Sequence, residues 1–257
     1  MSPTSWFLRT PGARRPFRLY CFCYAGGSAA TFLPWQQLIH PNVEICAVQL
    51  PGRGTRFHEA PYTSFEELVE RLTGLIAQQG NSQFAFFGHS LGGLLAFEVT
   101  RSLRDKALAT PSHLFISGCD AARYRSPSKQ LHLLDDKSLL QELKTLNGTP
   151  TEVLANDELM ALILPTIRAD FALAEGYRYR PRRSLLDIPM SVLAGKLDPV
   201  DAPEQVVGWN DETTGPFEVR WFDGDHFFIH PEQASVLDFL NARLQTYLDA
   251  PASSLLA

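Results

Sequence analysis

The chain has 257 residues, 45% of them hydrophobic and 20% charged, which suits one large domain, or one domain carrying an inserted cap, around a sizeable core. A formal net charge of −5 argues against general affinity for nucleic acid, which needs a basic surface. Residues 1–18 hold no continuous apolar segment of signal-peptide type, and no stretch reaches the length of a membrane span, so the sequence predicts a cytoplasmic protein with no membrane partner.

In chain order, short apolar runs rich in aromatic and β-branched residues predict strands over 17–23, 43–49, 83–87, 113–117, 190–194 and 218–222. Most are apolar almost without interruption, the pattern of strands buried on both faces. Between them lie helical patterns over 65–79, 91–103, 203–210 and 233–247. This alternation predicts an α/β protein with a mostly parallel central sheet flanked by helices. Cys21, Cys23, Cys46 and Cys119 all sit inside apolar runs and read as small buried hydrophobes. Cys21-Phe22-Cys23 lacks the ligand spacing of a zinc site, so no metal is expected.

The rhythm breaks between residues 120 and 186, where no strand pattern occurs. Two helical stretches, 135–146 and 157–176, are joined by Asn147-Gly148-Thr149-Pro150, a turn followed by a helix-start signal. Pro165 is expected to kink or split the second stretch. The segment 120–186 is therefore expected to form a helical cap inserted into one domain spanning 1–257.

The strongest chemical signal is Gly88-His89-Ser90-Leu91-Gly92, a G-x-S-x-G pattern set between a buried strand and a helix. That is the setting of a nucleophile elbow, which needs small residues at 88 and 92 because side chains there collide with neighbouring backbone. Ser90 is the candidate nucleophile. The Leu91 N–H, at a helix start, suits developing negative charge. A second glycine-rich turn, Tyr24-Ala25-Gly26-Gly27-Ser28, follows the strand over 17–23 and offers the Ala25 N–H as the other oxyanion donor. In the α/β-hydrolase fold the acid and base follow the serine in that order. His226, in Gly224-Asp225-His226-Phe227-Phe228, is the candidate base; His230 is a rival and His89 reads as a neighbour that packs the elbow. Asp198, just past the strand over 190–194, is the candidate acid. Asp201 is the alternative, but reads better as the N-cap of the helix near Pro203. Asp223 and Asp225 read as turn residues.

With these motifs in view, the sequence resembles the discrete type II thioesterases of polyketide and nonribosomal peptide synthesis. The resemblance runs through Tyr20 to Ser28, Pro51-Gly52-Arg53, Gly88 to Gly93, Asn147 to Pro150, Arg168-Ala169-Asp170-Phe171, Glu175-Gly176-Tyr177 and Gly224 to Phe228. Cys23 and Tyr24 depart from the family, which has proline and histidine there, and Gly54 stands where glutamate is common. The resemblance implies hydrolysis of acyl or aminoacyl thioesters on the phosphopantetheine arm of an acyl or peptidyl carrier protein, without metal or organic cofactor. It implies that the acyl chain lies near the cap, where Tyr24 and Phe171 are candidate substrate-binding residues. Because the chain opens with Met1 and shows no attached carrier domain, a free-standing monomer acting in trans is expected. Carrier proteins are generally acidic, and Arg178, Arg180, Arg182 and Arg183 form a basic cluster near the end of the cap that suits docking. Competing readings are a medium-chain fatty-acyl carrier thioesterase, a carboxylesterase or lipase acting on oxygen esters, and an inactive carrier-binding module.

Overall fold

The structure is a computed structural model that describes residues 5–12, 15–80, 82–125, 129–200 and 202–249. Its strands are β1 (Phe7–Leu8), β2 (Phe17–Phe22), β3 (Val43–Val48), β4 (Gln83–His89), β5 (Leu114–Ser117), β6 (Met190–Gly195) and β7 (Phe217–Phe222). Its α-helices are α1 (Phe65–Ala77), α2 (Leu91–Asp105), α3 (Asp136–Leu146), α4 (Thr151–Leu154), α5 (Asp157–Gly176), α6 (Pro203–Val207) and α7 (Gln233–Leu248).

The strands form one 7-stranded sheet in the order β1-β3-β2-β4-β5-β6-β7. Every neighbouring pair is parallel except β1 with β3, which is antiparallel. Strands β2, β3, β5 and β6 are buried at every residue, as continuous apolar runs require of a sheet covered on both faces. Alternate side chains of β2 and β4 divide between the two faces. Tyr20, Phe22, Phe84 and Phe86 pack with α1 and α2, whereas Leu19, Cys21, Ala85 and Phe87 pack with α7. The edge strand β7 is only partly buried.

Helical starts follow their caps. The Ser64 side chain accepts from Glu67 N–H at the start of α1, Asp135 from Ser138 N–H at α3, and Asn156 from Leu159 N–H at α5. Between β5 and β6 the named elements are α3, α4 and α5, which gather Leu131, Leu139, Leu143, Met160, Leu164 and Ile167 into a core of their own.

Three local expectations change. Helix α5 runs through Pro165 to Gly176, so of the two outcomes expected at the proline the split does not occur. Pro165 and Ala161, whose carbonyl loses its helical donor, both face solvent, where water can satisfy that carbonyl. The helix expected over 203–210 ends at Val207 and tightens into a 3₁₀ turn, Gly208–Glu212, as Trp209 Nε1 donates to Cys119 O at 2.7 Å beyond β5. Strand β1 and helix α4, of 2 and 4 residues, carry no readable period and were not expected. Among the described residues no helix is long and apolar enough to cross a membrane.

Candidate active site

Ser90 stands between β4 and α2 with φ 55° and ψ −118°, a conformation that costs a non-glycine residue about 1–3 kcal/mol. The surroundings enforce it. Ser90 N–H donates to Ser117 O at 2.8 Å, across to β5. A Cβ on Gly88 would lie 2.1 Å from Gly92 O, and one on Gly92 would lie 2.1 Å from Phe22 O, so neither position accepts a side chain. The same geometry seats the first turn of α2 directly over β2. Leu91 is the first residue of α2, and its N–H has no intrahelical acceptor.

The loops after β6 and β7 are laced together. Lys196 N–H donates to Phe222 O and Leu197 N–H to Gly224 O, each at 2.9 Å. A Cβ on Gly195 would lie 2.4 Å from Asp225 O, so this glycine lets the two loops close. The closure brings His226 Nδ1 to 2.7 Å from Asp198 Oδ2, with side chains 6% and 1% exposed. A carboxylate can only accept, so this hydrogen bond runs from Nδ1–H to Asp198. The His226 ring lies 5.2 Å from that of His89, the residue before Ser90, so the imidazole stands beside the elbow.

His89 is fully buried, with Nδ1 2.9 Å from Ser117 Oγ. Burial, then the neighbouring His226 and His230, hold its pKa well below the usual 6.5, so it is neutral. His230 lies three residues before α7 and shares a 3.0 Å hydrogen bond between its Nε2 and Tyr24 OH. Burial pushes the Tyr24 phenol up to about 12, keeping it protonated. Asp201 lies outside the described residues, and the N-cap position of α6 belongs to Ala202. Asp225 Oδ1 accepts from Phe227 N–H at 2.9 Å, an Asx turn, and Asp223 pairs with Lys196 at 2.6 Å.

Ala25 and Gly26 occupy the centre of a turn closed by Gly27 N–H donating to Tyr24 O at 3.0 Å, with Gly26 at φ +76°. This is a type II arrangement, which requires a residue such as glycine at its third position. Tyr24 sits edge-on to His89 at 5.7 Å and Phe227 at 5.0 Å, so it borders the elbow. Phe171 is half-buried and packs with the α3–α5 core.

Other side chains at the site carried no assigned role in the sequence. Ser117 holds both the elbow backbone and His89. Arg53 and Asp170 form a buried ion pair beside the Gly26 turn, Nη1–Oδ2 2.6 Å and Nη2–Oδ1 2.7 Å, though they stand 117 residues apart in the chain. Both residues lie in stretches that carried the resemblance, but only the fold shows that they meet. All four cysteines are buried, and burial pushes the Cys23 and Cys46 thiols up to about 12. No group of three or more His, Cys, Asp and Glu among the described residues is arranged to hold a metal ion.

The thioesterase domain family model matches residues 17–244. The gramicidin S biosynthesis protein GrsT of Aneurinibacillus migulanus is 36% identical over 95% of both chains. The thioesterase PikA5 of Streptomyces venezuelae is 37% identical over 94% of this chain and 85% of its own. Among solved structures, the type II thioesterase BorB from the borrelidin biosynthetic cluster superposes with a TM-score of 0.86 and 34% identity, covering 93% of this chain and 97% of that one. With its mostly parallel sheet, its serine elbow and these relatives along nearly its whole length, the chain belongs to the thioesterase family, as a type II thioesterase of the α/β-hydrolase fold.

Proposed function

We propose that Ser90, His226 and Asp198 form the catalytic triad of a thioesterase that removes acyl or aminoacyl groups, aberrant or stalled, from the phosphopantetheine arm of an acyl or peptidyl carrier protein. The observation that carries this reading is the buried Asp198–His226 hydrogen bond beside a serine held at φ 55° on the elbow. Asp198 fixes the imidazole tautomer and stabilises the imidazolium. His226 Nε2 takes the Ser90 proton as Oγ adds to the thioester carbonyl, and the Ala25 and Leu91 N–H groups bind the oxyanion. Collapse breaks the C–S bond. The pantetheine sulfur leaves with the proton from His226, and water activated by the same ring then cleaves the acyl-enzyme, restoring Ser90 and freeing the acid.

In this reading α3, α4 and α5, within residues 120–186, act as a cap over the site. The acyl chain lies between cap and core, with Tyr24 at the elbow end and Phe171 on the cap side. The biosynthetic pathways named for the relatives support a carrier partner.

The test is acyl release from a carrier loaded with acetyl, propionyl, medium-chain or aminoacyl groups, wild type against Ser90→Ala. Wild-type turnover lost by on the order of 10³-fold or more in Ser90→Ala supports the reading. A wild type that cleaves oxygen esters yet releases nothing from carriers overturns the thioester assignment.

A further inference from the structure

We propose that Asp170, with Arg53, is a positioning residue that sets the oxyanion turn from helix α5. The proposal rests on the assignment of the Ala25 N–H as an oxyanion donor.

The turn and its grip are both on the protein side of the site. Tyr24 C=O and Ala25 N–H belong to one trans peptide, so they point in opposite directions. Because Tyr24 O accepts from Gly27 N–H at 3.0 Å, the Ala25 N–H points outward from the turn. The shape of the turn beside that N–H is set by the peptide between Ala25 and Gly26, whose orientation distinguishes type II from type I. Asp170 Oδ2 holds this peptide by accepting Gly26 N–H at 2.7 Å. Arg53 Nη1 holds the peptide between Gly27 and Ser28, just past the turn, by donating to Gly27 O at 3.0 Å. The guanidinium is itself fixed by both Asp170 oxygens and by Nε donating to Pro51 O at 3.3 Å.

One face of α5 makes the whole contact. Thr166 Oγ1 donates to Gly52 O at 2.8 Å, and a Cβ on Gly26 would lie 3.1 Å from Ile167 Cγ1. Asp170 is one turn further along the same face. The turn is therefore set by a side chain from the segment between β5 and β6, not by its own strand.

Stability alone is a poor reason for this pair. Asp170 is 1% and Arg53 8% exposed, and taking two charges out of water carries a desolvation cost that their attraction only roughly offsets. Apolar residues of similar volume often serve a core equally well. What they lack is a carboxylate oxygen for Gly26 N–H and a donor for Gly27 O. The pair supplies both, at a turn whose outward N–H has a task in the transition state.

The test compares wild type with Asp170→Asn and with the double variant Arg53→Met/Asp170→Leu, which removes both charges and keeps an apolar filling. Each is assayed on an acyl-pantetheine thioester below its own unfolding temperature, and each is titrated with an alkylboronic acid, which binds serine as a tetrahedral anion. The expected result for the double variant is a kcat lower by about 10²-fold, KM within about twofold, and boronate affinity reduced in parallel with kcat, with a smaller loss for Asp170→Asn because an amide oxygen still faces Gly26. A folded double variant with wild-type kcat overturns the proposal, and so does a kcat loss with boronate affinity intact. Should the double variant not fold, the same split in Asp170→Asn decides. Failure of the thioesterase reading is separate: it shows as wild-type inactivity or as full activity in Ser90→Ala.

Discussion

A Cβ on Gly148 would stand 2.1 Å from Cζ of Phe227, so the turn between α3 and α4 rests directly on the residue after His226. Asn147, in the left-handed conformation at φ 57°, adds a hydrogen bond from Nδ2 to Asp225 Oδ2 at 3.0 Å. The helical segment thus bears on both loops that carry the proposed chemistry. The Asn147–Gly148 turn touches the histidine loop, and the Thr166–Asp170 face of α5 touches the Gly26 turn.

Gly148→Ala is expected to push the Phe227 ring aside and to disturb the imidazole beside it, 5.1 Å away. Misplacement of a catalytic group by a fraction of an ångström lowers turnover by about tenfold or more. Adding Phe227→Leu in the same chain removes the colliding ring end and is expected to recover part of that loss. Turnover of an acyl thioester by the single and double variants measures the coupling. A Gly148→Ala enzyme with wild-type kcat shows that the contact does not reach His226.

The parts of this molecule that could be read from sequence are those whose physics is local. The elbow is one: the apolar run of β4, glycines at 88 and 92 and the start of α2 are contiguous, and each glycine is required by a backbone atom within 2.1 Å. Asp198 and His226 were legible because each directly follows a strand or its turn, and adjacent parallel strands deliver their C-terminal ends to the same edge of the sheet. The Arg53–Asp170 pair was not legible as a pair, because no local pattern links two residues 117 positions apart. The uninterrupted course of α5 was hidden for a different reason. Proline propensity predicts a break, and only the solvent exposure of Ala161 and Pro165 shows why the helix tolerates one.

Asp120, just past β5, gives the protein a pH dependence of defined sign. Burial raises its pKa from the usual 3.8 to about 6; the nearby Asp198 acts in the same direction, while Arg125, the Ala202 N–H and His226 oppose it. The folded state therefore binds more protons than the unfolded chain between those two values, and this group's contribution to stability is lost as pH rises through about 6. Asp120→Asn keeps an oxygen for the 3.1 Å bond from Ala202 N–H but carries no charge. The variant is expected to melt higher than wild type at pH 8, with the gain fading to nothing by about pH 4. Melting curves across that range check it; a gain that grows as pH falls would contradict the assigned direction.

The basic run after α5 divides into committed and loosely paired side chains. Arg178 Nη1 donates to Glu175 O at 2.6 Å and Tyr177 O at 2.8 Å, so it serves its own turn. Arg180 is 72% exposed and faces Glu66 at 3.5 Å, and Arg182 is 42% exposed and faces Asp105 at 3.4 Å. Exposed pairs of this kind are worth about 0–1 kcal/mol, so either arginine can exchange its partner for a carboxylate on a docking acidic protein at little cost. Arg180→Glu with Arg182→Glu is expected to leave the fold intact and to raise KM for an acyl-carrier by about tenfold at low salt, through slower encounter, while kcat stays within about twofold. The wild-type KM for the same substrate is expected to rise with ionic strength, because salt screens an exposed contact of this kind. A small acyl-pantetheine thioester has no protein surface to dock, and its KM is expected to stay unchanged. An equal rise for both substrates would locate the effect inside the acyl site and remove the docking role from these two residues.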